Sequence, residues 1–248
     1  MPTDANAFQT ALALILGLDP VLLGIVALSL QVSISAVLIA ALLALPLGAA
    51  LALWRFPGRG AVIVALNALM GLPPVVAGLT VYLLLSRAGP LGQFGLLFTP
   101  TAMVIAQVIL ILPIIAALTR QQIEELHGEY RDQLHSLGVS RPRMIPTLLW
   151  DARFSLLTVV LAGFGRASAE VGAVMIVGGN IDGVTRVMTT AIVLETSKGN
   201  LPLALGLGLV LLGLVLLVNA AAHLVGETAR RRHLLPLRGQ PDRLRPRP

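Results

Sequence analysis

Long apolar runs interrupted by short polar connections dominate this sequence. Five runs are long enough to cross the hydrocarbon core of a bilayer as helices, which takes about 20 residues. They cover residues 21–54, 61–85, 101–118, 154–177 and 201–225. The apolar residues follow one another continuously and do not alternate with polar ones, so the pattern predicts helices and not the strands of a barrel. The predicted fold class is an all-α polytopic membrane protein.

The apolar stretch in residues 1–19 is too short to span a membrane. "AFQTALALILGL" is predicted to form an amphipathic helix on the membrane surface. The N-terminus has an acidic residue and no Lys or Arg before this stretch, so no cleavable signal peptide is expected. The segment 186–194 is also apolar but short, and a re-entrant or interfacial half-helix fits its length.

Basic residues set the expected orientation. All but four of the 18 Lys and Arg residues fall after the first run, after the third run or in the tail 227–248. Arg87, Arg186 and Lys198 lie on the other side, and Arg166 lies within the fourth run. Cytoplasmic loops of membrane proteins carry the excess of Lys and Arg. The expected topology is therefore N-terminus outside and C-terminus in the cytoplasm, with the basic tail near anionic lipid.

The connection 120–153 is the longest polar stretch and is predicted to form a helix, a turn and a second helix. Gly138 is expected to end the first helix, and Ser140 with Pro142 to begin the second. One face of the first helix is apolar at helical spacing; it consists of Ile123, Leu126, Tyr130, Leu134 and Leu137. This helix either docks onto another protein or rests on the membrane surface.

Composition strengthens the membrane prediction. The chain of 248 residues is 56% hydrophobic and 12% charged, with a mean hydropathy of +0.87, whereas soluble domains are about 25% charged. It has no cysteine, which excludes disulfides and thiolate chemistry. Only 4% of its residues are aromatic, too few for the stacking platforms of nucleic-acid binders.

Arg166 and Glu170 lie inside the fourth apolar run, four residues apart and therefore on one helical face. An arginine at this depth costs at least about 2.5–3.5 kcal/mol on insertion scales. The two side chains can neutralise each other partly. They act either as a strut that braces one helix against another or as part of a solute path.

A glycine-rich loop, Gly178-Gly179-Asn180, follows this pair and can aim backbone N–H groups at an anion. Polar donors without negative charge continue along it: Thr185, Arg186, Thr189 and Thr190. This set suits a tetrahedral oxyanion, and it suits ordinary loop closure equally well. Prolines inside other runs are expected to bend or break their helices; they are Pro46, Pro73, Pro74 and Pro113.

Catalytic motifs are missing from the sequence. The four histidines lack metal-ligand spacing, and neither G-x-S-x-G nor the nucleotide-binding G-x-x-x-x-G-K-[ST] occurs. We therefore expect no cofactor, no catalytic residue and no metal site. A stand-alone anion channel or ion-coupled carrier, with Arg166 and Glu170 as a gate or proton relay, is one hypothesis for the function, and a membrane-embedded enzyme is a weaker one.

Two stretches resemble a known family. "LMGLPPVVAGLTVYLLLSRAGPLG" and "GFGRASAEVGAVMIVGGNIDGVTRVMTTAIVLET" resemble the permease subunits of ATP-binding-cassette (ABC) importers for molybdate, tungstate and sulfate, and the second is most similar to the tungstate type. The family's cytoplasmic E-A-A-x-x-x-G signature is matched by Gly138, with Asp132-Gln133-Leu134 in place of E-A-A.

The resemblance implies a five-helix type I permease core that lies in a bacterial or archaeal cell membrane. Its expected partners are two ABC ATPase subunits, an oxyanion-binding protein outside the cell, a second copy of the chain and the lipid bilayer, with no nucleic acid. It implies import of tungstate or molybdate, driven by ATP that the partner hydrolyses. Residues expected to couple to the ATPase are Glu124, Asp132, Leu134, Gly138 and Arg141. The expected pathway residues are Arg166, Glu170, Asn180, Thr185, Arg186, Thr189 and Thr190.

Overall fold

The computed structural model describes residues 4–136 and 138–234 and confirms the all-α fold class, with no strand in these ranges. Ten α-helices follow one another within these ranges. They are α1 Asp4–Leu16, α2 Pro20–Leu53, α3 Arg59–Met70, α4 Pro74–Leu85, α5 Pro100–Ser136, α6 Arg141–Asp151, α7 Arg153–Ser168, α8 Gly172–Gly178, α9 Met188–Ser197 and α10 Leu201–Leu234.

Three helices in the described part of the chain are long and apolar enough to cross a membrane alone: α2, α5 and α10. Two further crossings exist only if a bent pair of helices counts as one span. Helices α3 and α4 meet at 101°, and α6 and α7 meet at 79°. The five apolar runs therefore correspond to fewer continuous helices than the sequence pattern predicts.

Helices α2 and α5 form the centre of the bundle and run parallel, because Val32 packs near Met103 while Leu53 packs near Ile123. Close contact requires small side chains. Four buried small residues recur every fourth position of α2, which puts them on one face: Ala36, Ala40, Ala44 and Gly48. A β-carbon on Gly48 would lie 2.5 Å from the backbone oxygen of Ala116 in α5.

The remaining helices surround this pair. Helix α7 runs antiparallel to α2, since Leu156 packs in the cluster with Leu53 and Phe164 packs farther along. Helices α4 and α8 pack on one another near the start of α5. Helix α1 packs against α10, and its Ala11 is fully buried. We call the end of the bundle with Arg55, Arg59 and Arg131 the basic end, and the end with residues 178–187 the loop end.

Prolines break only some of the helices that contain them. Pro46 and Pro113 lie inside continuous helices, whereas Pro73 and Pro74 mark the 101° bend between α3 and α4. The run 154–177 is also divided, and the division falls at residues 169–171, after Gly163 and Gly165. Residues 235–248, most of the predicted basic tail, lie outside the described residues, as does Leu137 of the predicted apolar stripe.

Candidate functional site

The interruption between α7 and α8 holds the pair of charges predicted from the sequence. Arg166 Nη1 donates to Glu170 Oε2 at 2.6 Å. The Glu170 side chain is only 3% exposed, while the Arg166 side chain is 33% exposed. The carboxylate is therefore enclosed by protein, whereas the Arg166 side chain is partly exposed.

Glu170 has a second structural contact. Its Oε1 accepts a hydrogen bond from the backbone N–H of Ala173 at 3.0 Å, in the first turn of α8. A carboxylate at this position satisfies an N–H group that has no partner within the helix. Glu170 therefore has two roles, because it caps the first turn of α8 and also pairs with Arg166.

Two polar side chains from other helices satisfy the backbone at the interruption. Gln107 Nε2 of α5 donates to the Ala167 carbonyl at 3.1 Å. Thr189 Oγ1 of α9 donates to the Glu170 carbonyl at 2.8 Å. Carbonyls freed by a helix end inside a membrane must find partners within the protein. The interruption, residues 169–171, is therefore the place where α5, α7, α8 and α9 meet, and we call it the junction.

A small polar cavity lies beside this junction. Its volume is about 10 Å³, which is space for about one water molecule. Polar side chains of its wall include Ser29, Ser33, Gln107, Glu170 and Thr189. The Oε1 atom of Gln107 is buried without a hydrogen-bond partner in the structure. A tetrahedral oxyanion has five heavy atoms and cannot enter the cavity in this conformation.

Helix α2 joins the junction through one serine. Ser29 Oγ accepts from the backbone N–H of Met188 at 2.7 Å and donates to the Ile25 carbonyl at 2.6 Å. The bond ties α2 to the first residue of α9. Ser29, Ser33 and Gln107 were missed in the sequence analysis, where the available signal was an isolated polar side chain within an otherwise apolar run.

The hydroxyls of the glycine-rich loop close the loop on itself. Thr185 Oγ1 donates to the Gly178 carbonyl at 2.5 Å and accepts from the Ile181 N–H at 2.9 Å. Thr190 Oγ1 bonds to the backbone of Val187 at 3.1 Å. Both threonines are buried. The geometry thus engages these hydroxyls in local hydrogen bonds.

Two loop residues keep unsatisfied polar atoms. Asn180 has a φ of 51°, and its Oδ1 is buried without a partner in the structure. Arg186 Nη1 donates to Asp182 at 2.8 Å, while its Nε is buried without a partner. Arg186 and Asp182 line an open cavity of about 420 Å³ near the start of α2. The predicted pathway residues therefore form two groups, one at the junction and one in the loop.

A second buried carboxylate lies where α9 turns into α10. Glu195 accepts from Lys198 Nζ and from Asn200 Nδ2, each at 2.9 Å. These two donors, the lysine first, lower the pKa of Glu195 below its ordinary value. Glu195 was missed in the sequence analysis, although the spacing of three residues to Lys198 is a pattern that pairs charges on a helix.

The predicted coupling residues lie at the basic end, in the second half of α5, in the turn after it and at the start of α6. Glu124 binds Arg59 of α3 and Arg120 of its own helix. Asp132 is exposed near the end of α5, and Gly138 has a φ of +62° in the turn. The side chains of Leu134 and Arg141 lie outside the described residues. We call the turn between α5 and α6 the elbow.

Comparison with known proteins adds relatives over most of the chain. The probable anion ABC transporter permease protein of Haloferax volcanii is 43% identical over 204 residues, which is 80% of this chain and 88% of the relative. The tungstate uptake system permease protein TupB of Peptoclostridium acidaminophilum is 40% identical over 223 residues, covering 90% and 98%.

A more distant relative is the sulfate transport system permease protein CysT of Escherichia coli. It is 28% identical over 172 residues, which cover 66% of this chain and 62% of that protein. No protein-family model matches the sequence. All three relatives are named as permeases, and their names point to anions.

Proposed function

This chain belongs to the permease family of ABC transporters for anions, and on that basis we propose that it carries tungstate into the cell. It is a multi-pass protein of the cell membrane and the transmembrane permease subunit of an oxyanion importer, without an ATPase site of its own. The observation that supports tungstate is 40% identity to a tungstate uptake permease over 90% of this chain.

Molybdate is a second oxyanion that this proposal admits. Both ions are tetrahedral dianions of nearly the same size, and a permease that releases its solute needs no tight site for either. Selection between them belongs to the binding protein that delivers the ion. The proposed partners are that binding protein, two ABC ATPase subunits that hydrolyse ATP, and a second copy of this chain.

The pathway is proposed to run between the two copies, past the exposed face of Arg166. Its guanidinium is cationic and reaches the subunit surface, while Glu170 is buried behind it and fixes its position. In the loop group, Asn180 and Arg186 each have a polar atom without a hydrogen-bond partner in the structure. The proposal also includes Thr185, Thr189 and Thr190, which shape the backbone around the path.

The basic end is proposed to face the cytoplasm and the ATPase, because Lys and Arg concentrate on the cytoplasmic side of membrane proteins. The elbow would then dock onto the ATPase. Residues proposed for this contact are Glu124, Asp132, Leu134, Gly138 and Arg141. Residues 1–19 and the loop end would face outward.

Reconstitution of the permease with its ATPase in liposomes tests the proposal. Tungstate-loaded binding protein is expected to raise ATP hydrolysis and to drive tungstate into the vesicles, whereas sulfate-loaded protein is not. Equal ATPase activity across tungstate, molybdate and sulfate would refute the assignment. Tungstate uptake by this chain alone, without ATPase, would instead indicate a channel or an ion-coupled carrier.

A further inference from the structure

The basic end contains a large cavity whose described wall includes none of the proposed pathway residues. Its volume is about 650 Å³, within the range of small-molecule sites, about 300–1,000 Å³. The wall is built by the end of α2, the start of α3 and the turn between them, and by α5, the elbow and α6. Its residues include Arg55, Arg59, Glu124, Gly128, Arg131 and Met144. The cavity thus lies behind the elbow, on the side of α2.

Positive charge predominates in this cavity. Glu124 is the one acidic residue among the described residues of the wall, and its single charge is shared by Arg59 and Arg120. Arg55 and Arg131 are exposed, and neither forms an ion pair within the part of the chain that the structure describes. The wall therefore carries two uncompensated guanidinium groups and suits an anionic ligand.

The surroundings of the cavity are those of a membrane interface. Trp54 and Phe56 flank Arg55 in the chain and are 43% and 42% exposed. Tryptophan is enriched at the level of lipid headgroups, and Phe56 adds an exposed apolar side chain beside it. Leu53 and Met144 add an apolar part to the wall. A ligand with a charged head and an apolar body can contact both parts, whereas a free oxyanion uses only the arginines.

We propose that this cavity binds the phosphate headgroup of an anionic phospholipid from the adjoining leaflet. Basic pockets between membrane helices are known to take such headgroups. The lipid phosphate would lie between Arg55 and Arg131 and would connect the α2–α3 turn to the elbow. The proposal requires only that the protein lies in a membrane, and it does not depend on which oxyanion is transported.

Native mass spectrometry of the full-length chain in detergent tests this site. Wild-type protein is expected to retain phosphatidylglycerol in preference to phosphatidylcholine. An arginine near anionic lipid contributes about 1 kcal/mol. Arg55→Gln and Arg131→Gln are therefore each expected to lower phosphatidylglycerol retention about fivefold, and the double variant about thirtyfold. Arg143→Gln removes an exposed charge of the same end outside the cavity and is the matched control.

A steric variant separates the cavity from diffuse surface charge. Gly128 lines the cavity, and a β-carbon built on it meets nothing within 4 Å. Gly128→Leu keeps every charge, favours the helix and is expected to lower phosphatidylglycerol retention at least fivefold. Thermal unfolding of each variant checks that the fold is retained.

Three results would overturn the proposal. One is equal retention of both lipids, and another is an equal loss in the Arg143→Gln control. The third is a double variant Arg55→Gln/Arg131→Gln that retains phosphatidylglycerol but has lost another property. Loss of inorganic phosphate binding would make the cavity a free-anion site, and loss of assembly with the ATPase would make it a protein contact. Lipid retention is measured on the chain alone, so a failure of tungstate transport would leave it unchanged.

Discussion

A β-carbon on Gly78 would lie 2.7 Å from the Cα atom of Ala173, so α4 and α8 meet backbone to backbone at this point. Ala173 is also the residue whose N–H donates to Glu170. Position 78 therefore sets how closely α4 approaches the first turn of α8, next to the buried carboxylate.

Gly78→Ala is expected to destabilise the protein. The added methyl group must displace backbone and not a flexible side chain, and overpacking of this kind costs about 1–3 kcal/mol. Thermal unfolding in detergent measures the effect. The control is Gly213→Ala in α10, where a β-carbon meets nothing within 4 Å and the change is expected to be neutral or stabilising. Equal stability of the two variants would contradict the close contact.

Neutral substitutions at Arg166 and Glu170 separate a strut from a solute path. Arg166→Gln alone leaves the buried carboxylate without its cation, which costs about 3–5 kcal/mol. The double variant Arg166→Gln/Glu170→Gln removes both charges of this pair, and a glutamine at position 170 can still accept from Ala173. It is expected to be more stable than the single variant, as measured by chemical unfolding.

Transport by the double variant then tests the proposed role of Arg166. If the guanidinium contacts the oxyanion, tungstate uptake falls more than tenfold although the complex assembles. Wild-type uptake by the double variant would show that the pair is only a brace. Exchanging the two residues is a poorer experiment, because an arginine at position 170 has no acceptor for the N–H of Ala173.

A glycine is expected to be required at position 138 because of the backbone conformation there. Its φ is +62°, and a β-carbon there meets nothing within 4 Å. Gly138→Ala should therefore cost about 1–2 kcal/mol through left-handed strain alone, whereas Gly138→Asn should cost less because asparagine tolerates this region. Unfolding temperature and ATPase stimulation by loaded binding protein are measured together. Equal effects of the two variants would contradict a conformational role.

Glu195 predicts a loss of stability in acid. Its pKa is lowered in the folded protein, so its contribution is complete above the pKa of the unfolded chain, about 4.3. That contribution disappears as the pH falls through the folded value. Glu195→Gln is expected to cost about 1–2 kcal/mol near neutral pH and to flatten the acid limb of a pH series of unfolding temperatures. Glu125→Gln, at an exposed carboxyl group of α5, should leave that limb unchanged.

Apolar run length predicts α2 well, whereas α5 continues to Ser136, past the end of the run 101–118. The run 21–54 corresponds to α2 within one residue at each end, because a continuous apolar stretch has no alternative to a helix in lipid. The bend at Pro73 and Pro74 follows from local covalent structure, since proline has no N–H to donate.

The interruption after Ser168 is not a local property of the sequence. It depends on Gln107 and Thr189, whose bonds cross 60 and 19 residues of chain. Periodicity and composition carry no information about such contacts. The charged pair was predicted because both its members lie within one helical turn. The role of the loop threonines required the structure, because a hydroxyl that closes a loop and one that binds an anion look alike in sequence.

Helix α5 is continuous for 37 residues, about 55 Å at 1.5 Å per residue. Gln107, near one end, holds the interruption beside Glu170, while Glu124 and the elbow lie toward the other end. Helix α5 therefore connects the elbow directly to the interruption. A tilt of the elbow would displace the backbone around Arg166, because no loop lies between the two. Pro113 lies between Gln107 and Glu124 and removes one backbone hydrogen bond of α5, so bending at this point would reduce the displacement that reaches Gln107.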